Sequence, residues 1–296
     1  MYRLHVKDVF ISMMMIILQH SEYHQLLDEL KKDYVAAHQI VHLMESYKRE
    51  KIPEIEIIVD GWPVFNVVVA KPVGLQQHML YLKNYLIYTK NNRNLNEVLT
   101  CEGTVDWSED GMFIVPQEKD YDIVKKVLEE KQQSNFNINN NMFQLTCFTL
   151  NSKDIIIHPV PDGMTLKPIS PDMVDMLMAN WEYSDEVKPI YFNYLIEHYK
   201  TLALYDVDDS LIGYMLETHY GAIGMLRILT EKRGKGYSKI ILSHLCKAIF
   251  ENGANVLTSG IAPSNEISIN LHLKLGFRKT NSVEGWFKFS GQSSAT

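Results

Sequence analysis

A mixed α/β fold is what this chain predicts, and three observations carry the prediction. Its second half alternates strand-like and helix-like segments in the order β-α-α-β-β-β-α-β-α-β-β. Its first half places helical stretches around strands, two of which flank the turn-forming pair Asp60-Gly61. The apolar segment AIGMLRIL passes through a glycine-containing turn, LTEKRGKGYS (residues 229–238), into KIILSHLCKAIF, whose apolar residues recur with helical period.

The elements follow in order. Leu26, Leu27, Leu30, Tyr34, Ile40, Val41 and Leu43 fall at helical spacing, so residues 21–49 predict a helix that ends before Pro53. EIEIIVDGWPVFNVVVAKP predicts two strands around Asp60-Gly61, and Tyr81–Tyr88 a third. Asn94 is placed to cap a short helix over Leu95–Leu99. Tyr121–Gln132 predicts a helix and Met142–Leu150 a strand, with the polar QSNFNINNN (133–141) as the loop between them. HPVPDG (158–163) reads as a domain boundary, giving an N-terminal extension (1–20), an N-terminal domain (21–158) and a C-terminal domain (159–296).

In the C-terminal domain, Met164–Ile169 is a strand, and Ser170-Pro171 starts a helix. A second helix covers Pro189–Tyr199. Leu202–Tyr205 and Leu211–Thr218 are strands joined through the turn VDDS, and Ala222–Leu229 is another. Ser238–Asn252 is a helix stopped at Gly253, Val256–Ala262 a strand, and Asn265–Leu275 a helix stopped at Gly276. FRKT and GWFKF close the chain as a terminal strand pair.

Bulk properties narrow the function. The 296 residues suffice for one large domain or two ordinary ones, and 46% apolar with 22% charged residues is a globular composition. A net charge of −7 and a pI near 5.9 argue against a broad basic face for nucleic acid. Cys101, Cys147 and Cys246 lie far apart with no CxxC pair and read as small thiols in a reducing compartment. His38 and His42 stand i, i+4 on a predicted helix, but no third ligand is evident and no metal is expected. The apolar stretch Val9–Leu18 is too short to span a bilayer, and QHSEYH offers no signal-cleavage site. Arg3 and Lys7 without early acids fit an ordinary extension or a mitochondrial leader, so a mitochondrial or cytoplasmic location is expected.

The glycine turn asks for a ligand. A P-loop would need Ser or Thr soon after the last glycine and its lysine, and Tyr237 follows Gly236; a dinucleotide fingerprint would need a third glycine where Lys239 stands. What remains is a strand, RGKGYS and a helix N-terminus. Glycine lets the backbone approach an anion, and the first helical amides point at it. Arg233 and Lys235 add positive charge, so a phosphate or pyrophosphate is implied; a tight turn without a ligand is the alternative.

RGKG after an apolar strand resembles the signature turn of the GCN5-related N-acetyltransferase superfamily, which holds the pyrophosphate of acyl-CoA. SNEISINLHLKLGFRK, thirty-odd residues on, is similar to the second signature of that superfamily, and the two occur in the order its fold requires. DGWPVFNVVVAKP, YLIYTK and the region of Trp107 further resemble the N-terminal domain of the glycine N-acyltransferase family, and LTEKRGKGYSKI its version of the turn. The resemblance covers about residues 21–290. It implies an acyl-CoA N-acyltransferase fold in which a degenerate acyltransferase-like domain packs on a catalytic C-terminal one.

The resemblance also implies the chemistry: an amine, glycine in the family, attacks the acyl-CoA thioester directly. Leu226 and Ile228 would offer backbone groups to the pantetheine arm. Arg233, Gly234, Lys235, Gly236, Tyr237 and Ser238 would hold the pyrophosphate, and Asn265 would reach the pantetheine side or cap its helix. A glutamate expected before the turn is replaced by Ala222. His219 is then the candidate base, and His272, where the superfamily carries a tyrosine, the candidate acid for the thiolate. Two functions follow: an N-acyltransferase acting on a small amine, or an acyl-CoA-binding protein that has lost turnover.

Overall fold

The chain is described by a computed structural model over residues 15–73, 83–132, 142–181 and 189–291. Residues 1–14 of the expected N-terminal extension and the loop expected at 133–141 lie outside the described residues. After β1 (Ile16–Ile17) and a short turn of 3-10 helix, the chain forms α1 (Tyr23–Lys31) and α2 (Tyr34–Lys48). One helix was expected here. It breaks because Asp33 leaves helical geometry (φ −122°, ψ 52°) and its carboxylate accepts the Tyr88 hydroxyl at 3.2 Å. β2 (Glu54–Val59), β3 (Val67–Val73), β4 (Asn84–Thr89), α3 (Leu95–Thr100), β5 (Gly111–Val115) and α4 (Tyr121–Gln132) follow.

Asp60 closes the β2–β3 connection. Its Oδ1 accepts the amides of Asn66 at 2.7 Å and Val67 at 2.9 Å, and its Oδ2 accepts Asn94 Nδ2 at 2.7 Å. Asn94 therefore ties α3 to this loop and makes no side-chain cap.

The second half comprises β6 (Met142–Asn151), β7 (Thr165–Lys167), α5 (Val174–Asn180), α6 (Pro189–His198), β8 (Thr201–Tyr205), β9 (Leu211–Glu217), β10 (Ile223–Ile228), α7 (Tyr237–Glu251), β11 (Val256–Ile261), α8 (Glu266–Lys274) and β12 (Arg278–Phe289). The expected terminal strand pair is one continuous strand. Its register against β6 shifts between Lys279 and Val283. The polar residues at the kink bond locally: Thr280 Oγ1 to Cys147 O at 3.0 Å, and Ser282 Oγ to Pro116 O at 2.6 Å. With β5 on one side and β6 on the other, β12 absorbs the polar break as an irregularity instead of turning back.

Eight strands form one sheet in the order β1-β2-β3-β4-β5-β12-β6-β11, and four form a second in the order β10-β9-β8-β7. β6, which precedes the proline-rich break, lies between two strands that follow it, so the large sheet runs across that break. Alternation sets the layers. Ile57, Val59, Val68, Ala70 and Trp286 face one core with α1, α2, α5 and α6. Ile58, Val67, Val69 and Phe287 face a second with α3 and α4. α7 covers the remaining face against Phe148, Leu150, Ile223, Leu257 and Ile261. Among the described residues no helix is long and apolar enough to cross a membrane.

Gly276 ends α8 at φ +97°, and a Cβ there would lie 2.2 Å from the backbone oxygen of Asp154. Backbone cannot swing aside as a side chain does. Gly276→Ala is expected to lower unfolding free energy by about 2–3 kcal/mol, measured by urea denaturation.

Candidate active site at the splayed strands

β10 and β11 run parallel and meet at one bridge, Ala222 with Thr258. Past it they belong to different sheets. The contact is pinned by side chains: Thr258 Oγ1 donates to Gly221 O at 3.2 Å, and Ser259 Oγ lies 3.3 Å from Ile223 O. Divergence leaves one edge of each strand without a ladder partner, which is the edge a ligand can use.

β10 is irregular on its other side. Its register against β9 shifts between Gly224 and Arg227, and Met225 takes φ +57°, a conformation rare outside glycine. The Leu229 amide bonds Ile212 O, so Arg227 and Leu229 turn their backbone groups to β9. By alternation Leu226 and Ile228 turn theirs to the open side. The Ile228 carbonyl is met there by Arg233 Nε at 3.1 Å.

The glycine turn lies at the end of β10. Gly234 and Gly236 have φ +80° and +81°, and a Cβ on either would meet nothing within 4 Å. Gly236 is the residue before α7. The first helical bond runs from Lys239 N to Gly236 O, and among the described residues no acceptor is recorded for the amides of Gly234, Lys235, Gly236, Tyr237 or Ser238. Arg233 to Gly236 are exposed. Unpaired amides, room beside both glycines and two basic side chains suit a pyrophosphate. Asn265 caps α8, its Oδ1 accepting the Ser268 amide at 3.1 Å, and is exposed.

The two histidines occupy different surroundings from a surface proton shuttle. His219 is 2% exposed. Its Nδ1 lies 2.9 Å from the Tyr191 hydroxyl and its Nε2 3.2 Å from Asn84 Nδ2. Burial lowers its pKa to about 3. His272 is also 2% exposed, with Nδ1 at 2.8 Å from Ser268 O and Nε2 at 3.1 Å from Ser259 Oγ. Burial lowers its pKa to about 4, against the opposing Ser268 bond. Both rings are neutral near pH 7 and engaged on both nitrogens. His272 does reach the splay through Ser259; His219 bridges β4 and α6.

A polar cluster that the sequence reading missed lies on the face covered by α2. Glu284 of β12 is 3% exposed. Its Oε2 accepts Gln39 Nε2 at 3.0 Å and Trp286 Nε1 at 3.3 Å, and its Oε1 lies 3.1 Å from His38 Nε2. His38 Nδ1 donates to Val35 O at 3.0 Å, which turns Nε2 towards the carboxylate. Cys147 joins them, the ligand atoms of the three residues lying within 4.8 Å of one another. Burial holds Cys147 as the thiol, and three donors already serve Glu284, so hydrogen bonding accounts for the group without an ion. The one local hint was polar His38-Gln39 within the apolar stripe of α2; Glu284 carried none. His42, one helical turn after His38, packs against Gly221, where a Cβ would lie 2.1 Å from its ring.

Comparison with known proteins agrees with this geometry. The profile described as aralkyl acyl-CoA:amino acid N-acyltransferase matches residues 14–188, and that of FR47-like protein matches residues 203–287. No match is found among curated protein sequences. A solved Drosophila protein superposes with TM-score 0.76 at 16% identity, covering 94% of this chain and 99% of its own. The tandem GNAT protein from the clavulanic acid biosynthesis pathway gives TM-score 0.52 at 14% identity, covering 95% and 99%. A GCN5-related N-acetyltransferase from Sphaerobacter thermophilus gives 0.54 at 12% identity, covering 96% and 97%. With two acyltransferase-like halves, a splayed strand pair and an open glycine turn, the chain belongs to the aralkyl acyl-CoA:amino acid N-acyltransferase family, within the GCN5-related N-acetyltransferase fold.

Proposed function

We propose that this protein transfers an acyl group from acyl-CoA to the amino group of a small acceptor, an amino acid such as glycine being the class the family description suggests. The observation that carries the reading is the parting of β10 from β11 after one bridge, with the bare amides of Gly234 to Ser238 following the end of β10. In this reading those amides, with Arg233 and Lys235, take the pyrophosphate. Leu226 and Ile228 pair with the pantetheine arm as an added strand would. Asn265, the exposed cap of α8, is assigned to the pantetheine side. The bulge at Met225 presents backbone groups near the thioester, where an N–H polarises a carbonyl. Holding amine and thioester together supplies much of the rate. His219 and His272, neutral and doubly bonded, serve here to fix strand and helix positions.

A second reading has one observation behind it. Ala222 stands at the parting of the strands and has no group to accept a proton, which favours acyl-CoA binding without turnover.

The two readings separate in one assay. Protein, an acyl-CoA and a panel of amino acids and amines are mixed, and free thiol is followed. Amine-dependent thiol release supports transfer. CoA binding with no release for any amine leaves the second reading, and no CoA binding removes both. The turn is tested by Gly236→Val, which places branches in the open space beside a φ of +81°. A loss of about 2–3 kcal/mol in CoA affinity is expected, with the protein still folded. Unchanged affinity in a calorimetric titration contradicts the pyrophosphate assignment.

A further inference from the structure

The acyl-transfer reading leaves a chemical demand open: the attacking nitrogen must lose a proton inside a cleft where Ala222 offers none. Two buried carboxylates stand in this region. Glu217 is engaged by the Lys200 amide at 2.9 Å and faces Lys51 at 3.9 Å. Glu284 reaches further. An ideal Cβ on Gly260 would lie 3.6 Å from its Oε2, so the carboxylate stretches across β6 to rest over β11.

Gly260 follows Thr258 by two residues, so both point to the same face of β11. Thr258 is bridged side by side to Ala222. The Glu284 carboxylate therefore sits on the face to which Ala222 turns its methyl, within one strand of the parting. Gly260 is the position that allows this: a side chain there would meet Leu145 at 2.9 Å as well as Glu284.

We propose that Glu284 is the proton acceptor of the transfer reaction and the anchor for the acceptor amine, and that His38 and Gln39 of the N-terminal half are its positioning residues. This rests on the acyl-transfer reading. An ionised carboxylate offers about four lone-pair positions. Three are met by His38, Gln39 and Trp286, and the Cys147 thiol, a weak donor, lies beside the fourth, the contact an incoming amine would displace. Gln39 Oε1, on the carboxamide that holds Glu284, is buried with no partner among the described residues and supplies a second acceptor for an N–H group. The bonds balance as follows. Nitrogen bonds the acyl carbon and releases one proton to Glu284. The C–S bond breaks with its electron pair on sulfur, and Glu284 returns the proton, giving amide and free CoA thiol. The titratable groups facing Glu284 are His38 of α2, Cys147 of β6, Tyr220 of the β9–β10 turn and Tyr121 of α4. Burial raises the last three and keeps them neutral near pH 7.

The experiment follows thiol release and CoA affinity for wild type, Glu284→Gln, Glu284→Asp and the double variant Glu284→Gln with Ala222→Glu. Glu284→Gln is expected to lower kcat about 100-fold near neutral pH while CoA affinity is kept. Its deficit should shrink as pH rises, because unprotonated amine and hydroxide then replace the missing base. Ala222→Glu should restore part of the rate by returning a carboxylate to the same face. Wild-type kcat in Glu284→Gln overturns the proposal, as does a deficit that is constant with pH and accompanied by lost CoA affinity. If Glu284→Gln does not fold, Glu284→Asp decides: lower kcat with unchanged KM for acyl-CoA is expected, and wild-type kcat overturns it. A wild type that binds CoA but releases no thiol with any amine defeats the transfer reading itself; a wild type that turns over beside an unimpaired Glu284→Gln defeats this proposal alone.

Discussion

The constraint on which the rest depends is the parting of β10 from β11 after one bridge. Parallel strands in a continuous sheet would consume each other's backbone groups, and nothing could enter. Here Thr258 and Ser259 hold the strands together at Gly221 and Ile223, and beyond them the two sheets diverge. Each core then has to be filled independently. α7 packs under the cleft against Ile223, Leu257 and Ile261, while α2 and α6 pack over it with Leu216 and Trp286.

The glycine turn is useful only because of that arrangement. Gly234 and Gly236 would be an ordinary strand-to-helix connection if a neighbouring strand covered β10. With the edge open, positive φ at both glycines turns a run of amides outward at the start of a fifteen-residue helix, whose dipole adds to the field of Arg233 and Lys235.

The N-terminal half does more than support the C-terminal half. β12 links the two by pairing with β5 and β6 at once, and α2 lies over the face where the strands part. Gly221 permits the close approach of His42, and His38 and Gln39 meet Glu284 below. Buried polar groups of this kind are costly unless satisfied, which fixes how the halves meet.

What the sequence determined by itself was local. Strand and helix periods located nearly every element, because burial on one face writes a period of 2 or 3.6 directly into the chain. Gly253 and Gly276 marked helix ends and RGKG marked the strand-to-helix turn, all through positive φ, since each is a property of a few consecutive residues. The tertiary structure decided the rest. Only packing could break residues 21–49 at Asp33, because the partner of that carboxylate is Tyr88. Only the neighbours of β12 could make one strand of FRKT and GWFKF. Only assembly could bury His219 and His272 and give them their partners, and bring Glu284 to His38 and Gln39 across 245 residues of chain. Such contacts join positions with no spacing in common, so no period or motif records them.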